Sequence, residues 1–471
     1  MHRSRTFAWK PFLKQIAAIA IPVALQNTLS STGTMVDTMM IGALGQESVG
    51  AVGLCAQFSS LMVACYWGLV GGGMLFYAQY WGAQDDDGIN RSYGISITCQ
   101  VMIGVLFCLA GFLMPEVVMR LYTDKAEIQQ IGVEYLRTVC FAYPLQVYSI
   151  GMAALLRTTE RVRIPLIAAI CSVLTNVLLN YCFISGHLGF PALGIRGAAL
   201  ATVLAALVNV LVTGALSIRN GHPYIFAFNH HFHWTKAAVK EYFIKCAPII
   251  ANELLIGIGN MLISVVLGRQ SVEAIAALAV FRTLEGFIIG FFAGFSNAAS
   301  ILVGKEVGAG NLDTAYERAW RLIYLCQFVI FLSVLVLLAL HTPLLTMMSL
   351  HDESFSICFG MLLIYGVAVL IRMGNWAQND TYRSAGDAAY GTILEIVFMY
   401  AMVLPCVWLS GMVLHWPFLV IFALCYVDEP IRYVMMQVHL YNGKWVKPVT
   451  PQGLAALPAF RKKHLTARER S

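Results

Sequence analysis

Twelve stretches of about twenty apolar residues, each long enough to cross a hydrocarbon core, run through this chain. They fall near 16–41, 49–77, 92–114, 132–156, 164–185, 197–218, 243–267, 275–302, 320–340, 355–378, 390–410 and 417–440. Inside lipid a spanning segment must satisfy its own backbone N–H and C=O groups. The expected fold class is therefore an all-α polytopic membrane protein with 12 transmembrane helices. Only 12% of residues are charged and mean hydropathy is +0.71, against about 25% charged in soluble domains. The 12 cysteines stand singly with no CxxC, which argues against a thiolate zinc site or a disulfide framework. The basic start runs into an apolar stretch that continues through Gln26, Asn27 and Asp37 without a clear cleavage site. It is read as a retained first span, not a signal peptide.

Charge sets the expected orientation. With the N-terminus inside, 23 Lys and Arg fall in or beside the tails and inner loops, and 4 fall in the outer loops. That positive-inside bias places both termini in the cytoplasm of a cell (inner) membrane. The net charge of +6 lies in loops and tails and calls for no nucleic-acid partner.

Shifting the sequence by 226 residues superposes its halves. Lys14 meets Lys240, Pro22 meets Pro248, Gly68 meets Gly294, Gly82 meets Gly308, and Arg157 meets Arg383. Six spans per half insert in the same direction, so a symmetry axis along the membrane normal is expected, as in transporters built from parallel repeats. The expected organisation is an N-terminal six-helix lobe (1–219), a cytoplasmic linker (220–241), a C-terminal six-helix lobe (242–443) and a basic cytoplasmic tail (444–471), whose end RKKHLTARER is expected to be solvated and to face lipid headgroups.

Asp37 is the sharpest anomaly. A carboxylate at mid-bilayer costs about 2.5–3.5 kcal/mol on insertion scales. At 100° per residue, Gln26, Asn27, Ser30, Ser31, Thr34, Asp37 and Thr38 share one arc of the first span, so the acid faces protein or water. In the fifth span Ser172, Asn176 and Asn180 share a face, and Thr202 in the sixth adds a hydroxyl. Such oxygens suit a hard cation such as Na+, and equally suit a protonated acid. Glu253, Asn260 and Ser264 form a narrower stripe in the seventh span. Arg372, Asn375, Gln378, Asn379 and Asp380 form a polar run expected to line a wet cavity. Gln26, Asn27, Thr34, Arg372 and Asn375 are candidates for the substrate cleft. Asn and Ser also serve as plain interhelical glue. Glu285 is expected to pair with Arg282, and Glu429 with Arg432, at i,i+3.

Weaker signals have bland readings. Asp85–Asp87 could hold magnesium in an enzyme, but a solvated turn is the simpler expectation. His230, His231 and His233 could bind metal, but a wet linker is expected instead. No metal site, cofactor or catalytic residue is assigned.

These segments resemble the multidrug and toxic compound extrusion (MATE) family. The resemblance rests on IPVALQNTLSSTGTMVDTMMIGALG, RTTERVRIP and NVLLNYCFISGHLGFPALGIRGAALAT in the first half. In the second half it rests on APIIANELLIGIGNMLISVVLG, NAASILVGKEVGAGNLDTAYERA, RSAGDAAYG and VDEPIRYVMMQVHLYNGKWVKPVT. The resemblance implies two six-helix bundles forming a V. It implies export of small organic, often cationic, compounds in exchange for H+ or Na+. It places a cation site on Asp37, Asn176, Asn180 and Thr202, with Asn180 where some members carry a second aspartate. Glu253, Asn260 and Asp380 are second-lobe coupling candidates. Glu160-Arg161 departs from the family's Gly-Asp, which stands here as Gly386-Asp387. The expected partners are small substrates and the lipid bilayer, with a monomeric chain. The alternative is a lipid-linked precursor flippase of related architecture, which would want an arginine- and lysine-rich cleft.

Overall fold

A computed structural model describes residues 9–221, 224–232, 234–348 and 352–464. Their regular structure is helical, with one isolated antiparallel bridge between Gly386 and Val446. The helices are α1 (Trp9–Gly42), α2 (Gln46–Ala83), α3 (Asp86–Leu113), α4 (Pro115–Tyr122), α5 (Ala126–Val139), α6 (Ala142–Thr158), α7 (Arg163–Ser185) and α8 (Gly194–Arg219). There follow α9 (Phe228–His231), α10 (Lys236–Leu267), α11 (Val272–Gly308), α12 (Leu312–Ala339), α13 (His341–Met347) and α14 (Asp352–Ser384). The chain ends with Tyr390–Val413, Phe418–Leu424, Glu429–Asn442 and Pro451–His464.

Ten of these helices are long and apolar enough to cross a membrane, and α5 with α6 makes an eleventh if the bent pair is one span. The protein is a multi-pass membrane protein. The 52° bend follows α5, where Pro144 lacks the N–H that would bond Cys140 and its ring crowds that carbonyl. The last expected span, 417–440, is interrupted between Phe418–Leu424 and Glu429–Asn442. Asp428, Glu429 and Arg432 are all buried at that break.

The chain divides into two compact units. One holds residues 25–77 and 85–250, the other 1–24, 78–84 and 251–471. These limits differ from the 1–219 and 242–443 lobes drawn from sequence, because α1, α2 and α10 each begin in one unit and end in the other.

In the first unit, Gly68 and Gly72 on α2 admit the start of α10. A Cβ on Gly68 would lie 2.5 Å from the Ile250 Cα, and one on Gly72 would strike the Cys246 Sγ. This four-residue spacing of small residues is how membrane helices bring backbones together. In the second unit Gly294, the residue 226 positions after Gly68, meets the Ala20 carbonyl of α1.

One expectation of solvated chain, the wet linker, is corrected. Within 220–241, Tyr224 and Ile225 are buried, and the Tyr224 hydroxyl donates to Asp86 Oδ1 at 2.5 Å. His231 is buried edge-on to Tyr93 (ring centroids 5.1 Å apart), with Nε2 2.6 Å from the Tyr224 carbonyl. Burial pushes this imidazole below its ordinary value. Aromatic content explains the docking, since wet linkers do not carry such apolar area. His233 lies outside the described residues. The stretch before the basic end is folded: Trp445, Val446, Thr450 and Phe460 are buried, and the Thr450 hydroxyl donates to the Gly308 carbonyl at 2.7 Å, while Arg461, Lys462 and Lys463 beyond it are exposed.

Candidate functional site

The polar stripe of α1 sorts into two kinds of group. Ser30, Thr34 and Thr38 each donate to the carbonyl four residues back, at 2.9, 3.1 and 2.9 Å. Those hydroxyls are satisfied within the helix. Asp37 has no such local solution, and its carboxylate reaches α7. Asn180 Nδ2 donates to Asp37 Oδ1 at 2.6 Å and lies 3.3 Å from Asn176 Oδ1. Asn180 is fully buried, and among the described residues its Oδ1 has no donor. An orphaned buried acceptor is uncommon and needs an explanation. Thr202 on α8 donates to the Ala198 carbonyl at 3.1 Å, and the Tyr135 phenol interacts with Thr202 and Asp37. Among the described residues no Lys or Arg pairs with Asp37. Ser172 turns away to the Ala205 carbonyl.

The donor set is therefore a carboxylate, two amide oxygens and a hydroxyl on three helices of the first unit. Oxygen ligands of this kind suit a hard monovalent cation. A proton on Asp37 would instead make the carboxyl a donor, and the Asn180 Oδ1 is a ready acceptor.

The second unit is built differently. Glu253 pairs with Arg383 at 3.5 Å. Asp380 accepts from the Ser296 hydroxyl at 2.5 Å. Asn260 is exposed, and its side chain makes no hydrogen bond among the described residues. The pairing expected between Glu285 and Arg282 is corrected. Arg372 donates to Glu285 Oε1 at 2.9 Å, while Arg282 is exposed and donates to Ser264 at 2.8 Å. The pair Glu429–Arg432 is present at 2.7 Å. Arg372 also lies 3.9 Å from Glu429, and Asn375 donates to Glu429 Oε2 at 2.7 Å. Asn375 is buried, so it and Arg372 sit inside an ionic network. Glu395, unassigned from sequence, joins the same network. It accepts from Asn252 and Asn379 and lies 3.8 Å from Arg432. Its intramembrane charge was the available signal.

Of the remaining cleft candidates, Thr34 is exposed and Asn27 is half-buried. Gln26 accepts from Arg157 at 2.7 Å. Asp85 accepts from the Gly88 N–H at 2.9 Å and so caps α3. Among the described residues no cluster of three or more His, Cys, Asp or Glu could hold a metal ion.

Comparison with known proteins follows the same lines. The MatE family profile matches residues 22–182 and 248–409. The chain is 21% identical over 406 residues to the probable multidrug resistance protein YoeA of Bacillus subtilis, covering 86% of this chain and 87% of that one. It is 22% identical over 445 residues to the probable multidrug resistance protein NorM of Thermotoga maritima, covering 92% and 93%. A crystal structure of a MATE protein in complex with MaL6 matches with TM-score 0.81 at 17% identity, covering 92% of this chain and 97% of that one. An outward-facing multidrug resistance MATE transporter of the MOP superfamily matches with TM-score 0.80 at 18% identity, covering 92% and 96%. With the family profile matched across more than half its length, the chain belongs to the MatE family of multidrug and toxic compound extrusion transporters.

Proposed function

We propose that this protein is a secondary antiporter that exports organic, cationic or amphipathic compounds in exchange for H+ or Na+. Asp37 carries the coupling ion, with Asn176, Asn180 and Thr202 as its ligands or hydrogen-bond partners. The observation that carries this reading is the Asp37–Asn180 contact of 2.6 Å beside an orphaned Asn180 oxygen, with no cation from the protein on the acid. A bare intramembrane carboxylate is costly, and a proton or sodium ion removes that cost. Ion and substrate then oppose each other through the conformation that each favours.

Two further observations support the reading. The profile matches begin at residues 22 and 248, the same 226-residue offset that relates the sequence halves. A duplicated chain suits alternating access. In the second unit Arg372, Arg383 and Arg432 face Glu253, Glu285, Asp380, Glu395, Asp428 and Glu429. That excess of acid makes Glu253 and Asp380 the candidates for a second coupling ion. A proton moving down one pH unit and 100 mV releases about 3.7 kcal/mol. One-for-one exchange with a monovalent cation cancels the potential term and leaves about tenfold accumulation per pH unit, so a second ion would raise the ceiling.

The protein is proposed to act as a monomer in the inner membrane with both termini cytoplasmic. The flippase alternative is weakened because Arg372 and Arg432 are already held by carboxylates. The test is export from proteoliposomes with sodium and pH gradients imposed separately. Export driven by one gradient and lost in Asp37→Asn supports the proposal; export indifferent to both gradients defeats it.

A further inference from the structure

Arg157 stands in the last turn of α6 and is half-buried. Its Nη2 donates to Gln26 Oε1 at 2.7 Å. Its Nε is buried with no acceptor, and no carboxylate pairs with it among the described residues. The residue 226 positions later, Arg383, ends α14 in the same way. There the guanidinium has its counterion, Glu253, at 3.5 Å. The residue 226 positions before Glu253 is Asn27, and the one before Asn252 is Gln26. The first unit thus keeps the arginine and the neighbouring amide but has an asparagine where the acid stands in the second.

A guanidinium with its Nε withdrawn from water and no counterion among the described residues carries a desolvation cost that an amide oxygen does not repay. Its planar fork matches a carboxylate in a two-bond geometry that lysine cannot copy. Gln26 precedes Asp37 by 11 residues, so both project from one face of α1, three turns and about 16 Å apart.

We propose that Arg157, positioned by Gln26, binds the carboxylate of the transported compound, so that the cargo of this transporter includes zwitterions. The inference rests on the export reading above and names a specificity-determining residue for it. Along one stripe of α1, the first unit then offers a cation that receives an anionic group and, three turns away, an acid that holds the coupling ion.

The test is equilibrium binding to the purified full-length protein of two probes. One is a fluorescent amino-xanthene dye with a free benzoate, a zwitterion; the other is its methyl ester, a cation. The wild type is expected to bind the zwitterion about tenfold more tightly than the ester, with sodium acetate competing against the zwitterion alone. Arg157→Gln should lower the zwitterion-to-ester affinity ratio about tenfold, and Arg157→Lys should give an intermediate ratio. Equal binding of the two dyes by the wild type overturns the proposal whether or not the variants fold. So does a proportional loss for both dyes in Arg157→Gln, the mark of a structural arginine. Displacement of the zwitterion by chloride as effectively as by acetate would assign the site to a free inorganic anion and also overturn it. A preference for the zwitterion without ion-driven export of either dye would defeat the antiport reading and leave this site standing.

Discussion

Asn180 on α7 donates its side-chain amide to Asp37 Oδ1 on α1 across 2.6 Å, and among the described residues its own oxygen has no donor. A neutral partner holds the acid in place without cancelling its charge.

Asp37→Asn should therefore insert and fold normally, changing stability by no more than about 1 kcal/mol. An amide can still face Asn180, and a buried charge has been removed. Ion-driven export should fall to background. Thermal unfolding in detergent and proteoliposome transport, measured on the same preparation, check the two halves of this expectation.

Arg432 is the hub of a buried ionic cluster, 2.7 Å from Glu429, 3.7 Å from Asp428 and 3.8 Å from Glu395. Arg432→Ala should destabilise the fold by about 3–5 kcal/mol, because it leaves buried acids with no cation. Glu285→Gln should cost less, since Arg372 keeps Glu429 at 3.9 Å. A thermal-shift series on both variants tests the order of the two effects.

Asp387 lies between spanning helices and is buried, which by itself would raise its carboxyl. The bonds from His439 and Lys447, each at 2.9 Å, outweigh that and hold it below the usual 3.8. A lowered acid stabilises the fold fully above pH 3.8, and that contribution is lost as pH falls through the depressed folded value. Unfolding temperature should therefore drop as pH falls below about 4, through 3.8 and on past the depressed folded value. In Asp387→Asn the curve should be flatter across that window and lower above it.

Gly68 leaves no room for a side chain, because its neighbour is the Ile250 backbone at 2.5 Å. Gly68→Val should cost about 1–3 kcal/mol or more, since a backbone cannot rotate aside as a side chain can. Gly257→Ala on α10, where nothing lies within 4 Å, should stabilise the helix by up to about 1 kcal/mol. Paired melting curves distinguish the two glycines.

Much of the site was legible in single segments. The 100° periodicity of α1 put Asp37 with Gln26 and Thr34, and the four-residue spacing of Asn176 and Asn180 put them together on α7. Failures came where a partner lies on another helix. The i,i+3 rule paired Glu285 with Arg282, yet three residues turn a helix by about 60° from eclipse. That leaves Arg282 outward toward Ser264 and Glu285 inward toward Arg372. His231 read as wet because histidine dominates its local composition. The apolar area contributed by Tyr224 and Ile225 decided otherwise.

The sequence by itself determined the helical, membrane-spanning class, the offset between the halves and the polar face on which Asp37 stands. These follow from local chemistry and helical period, which need no knowledge of neighbours. The tertiary structure alone decided that Asp37 meets an amide while Glu253 meets an arginine, and that the Arg157 guanidinium meets Gln26 and, among the described residues, pairs with no carboxylate. The reason is geometric. A charge inside a membrane protein takes its energy from atoms a few ångströms away on other helices, and their sequence distance from it is arbitrary.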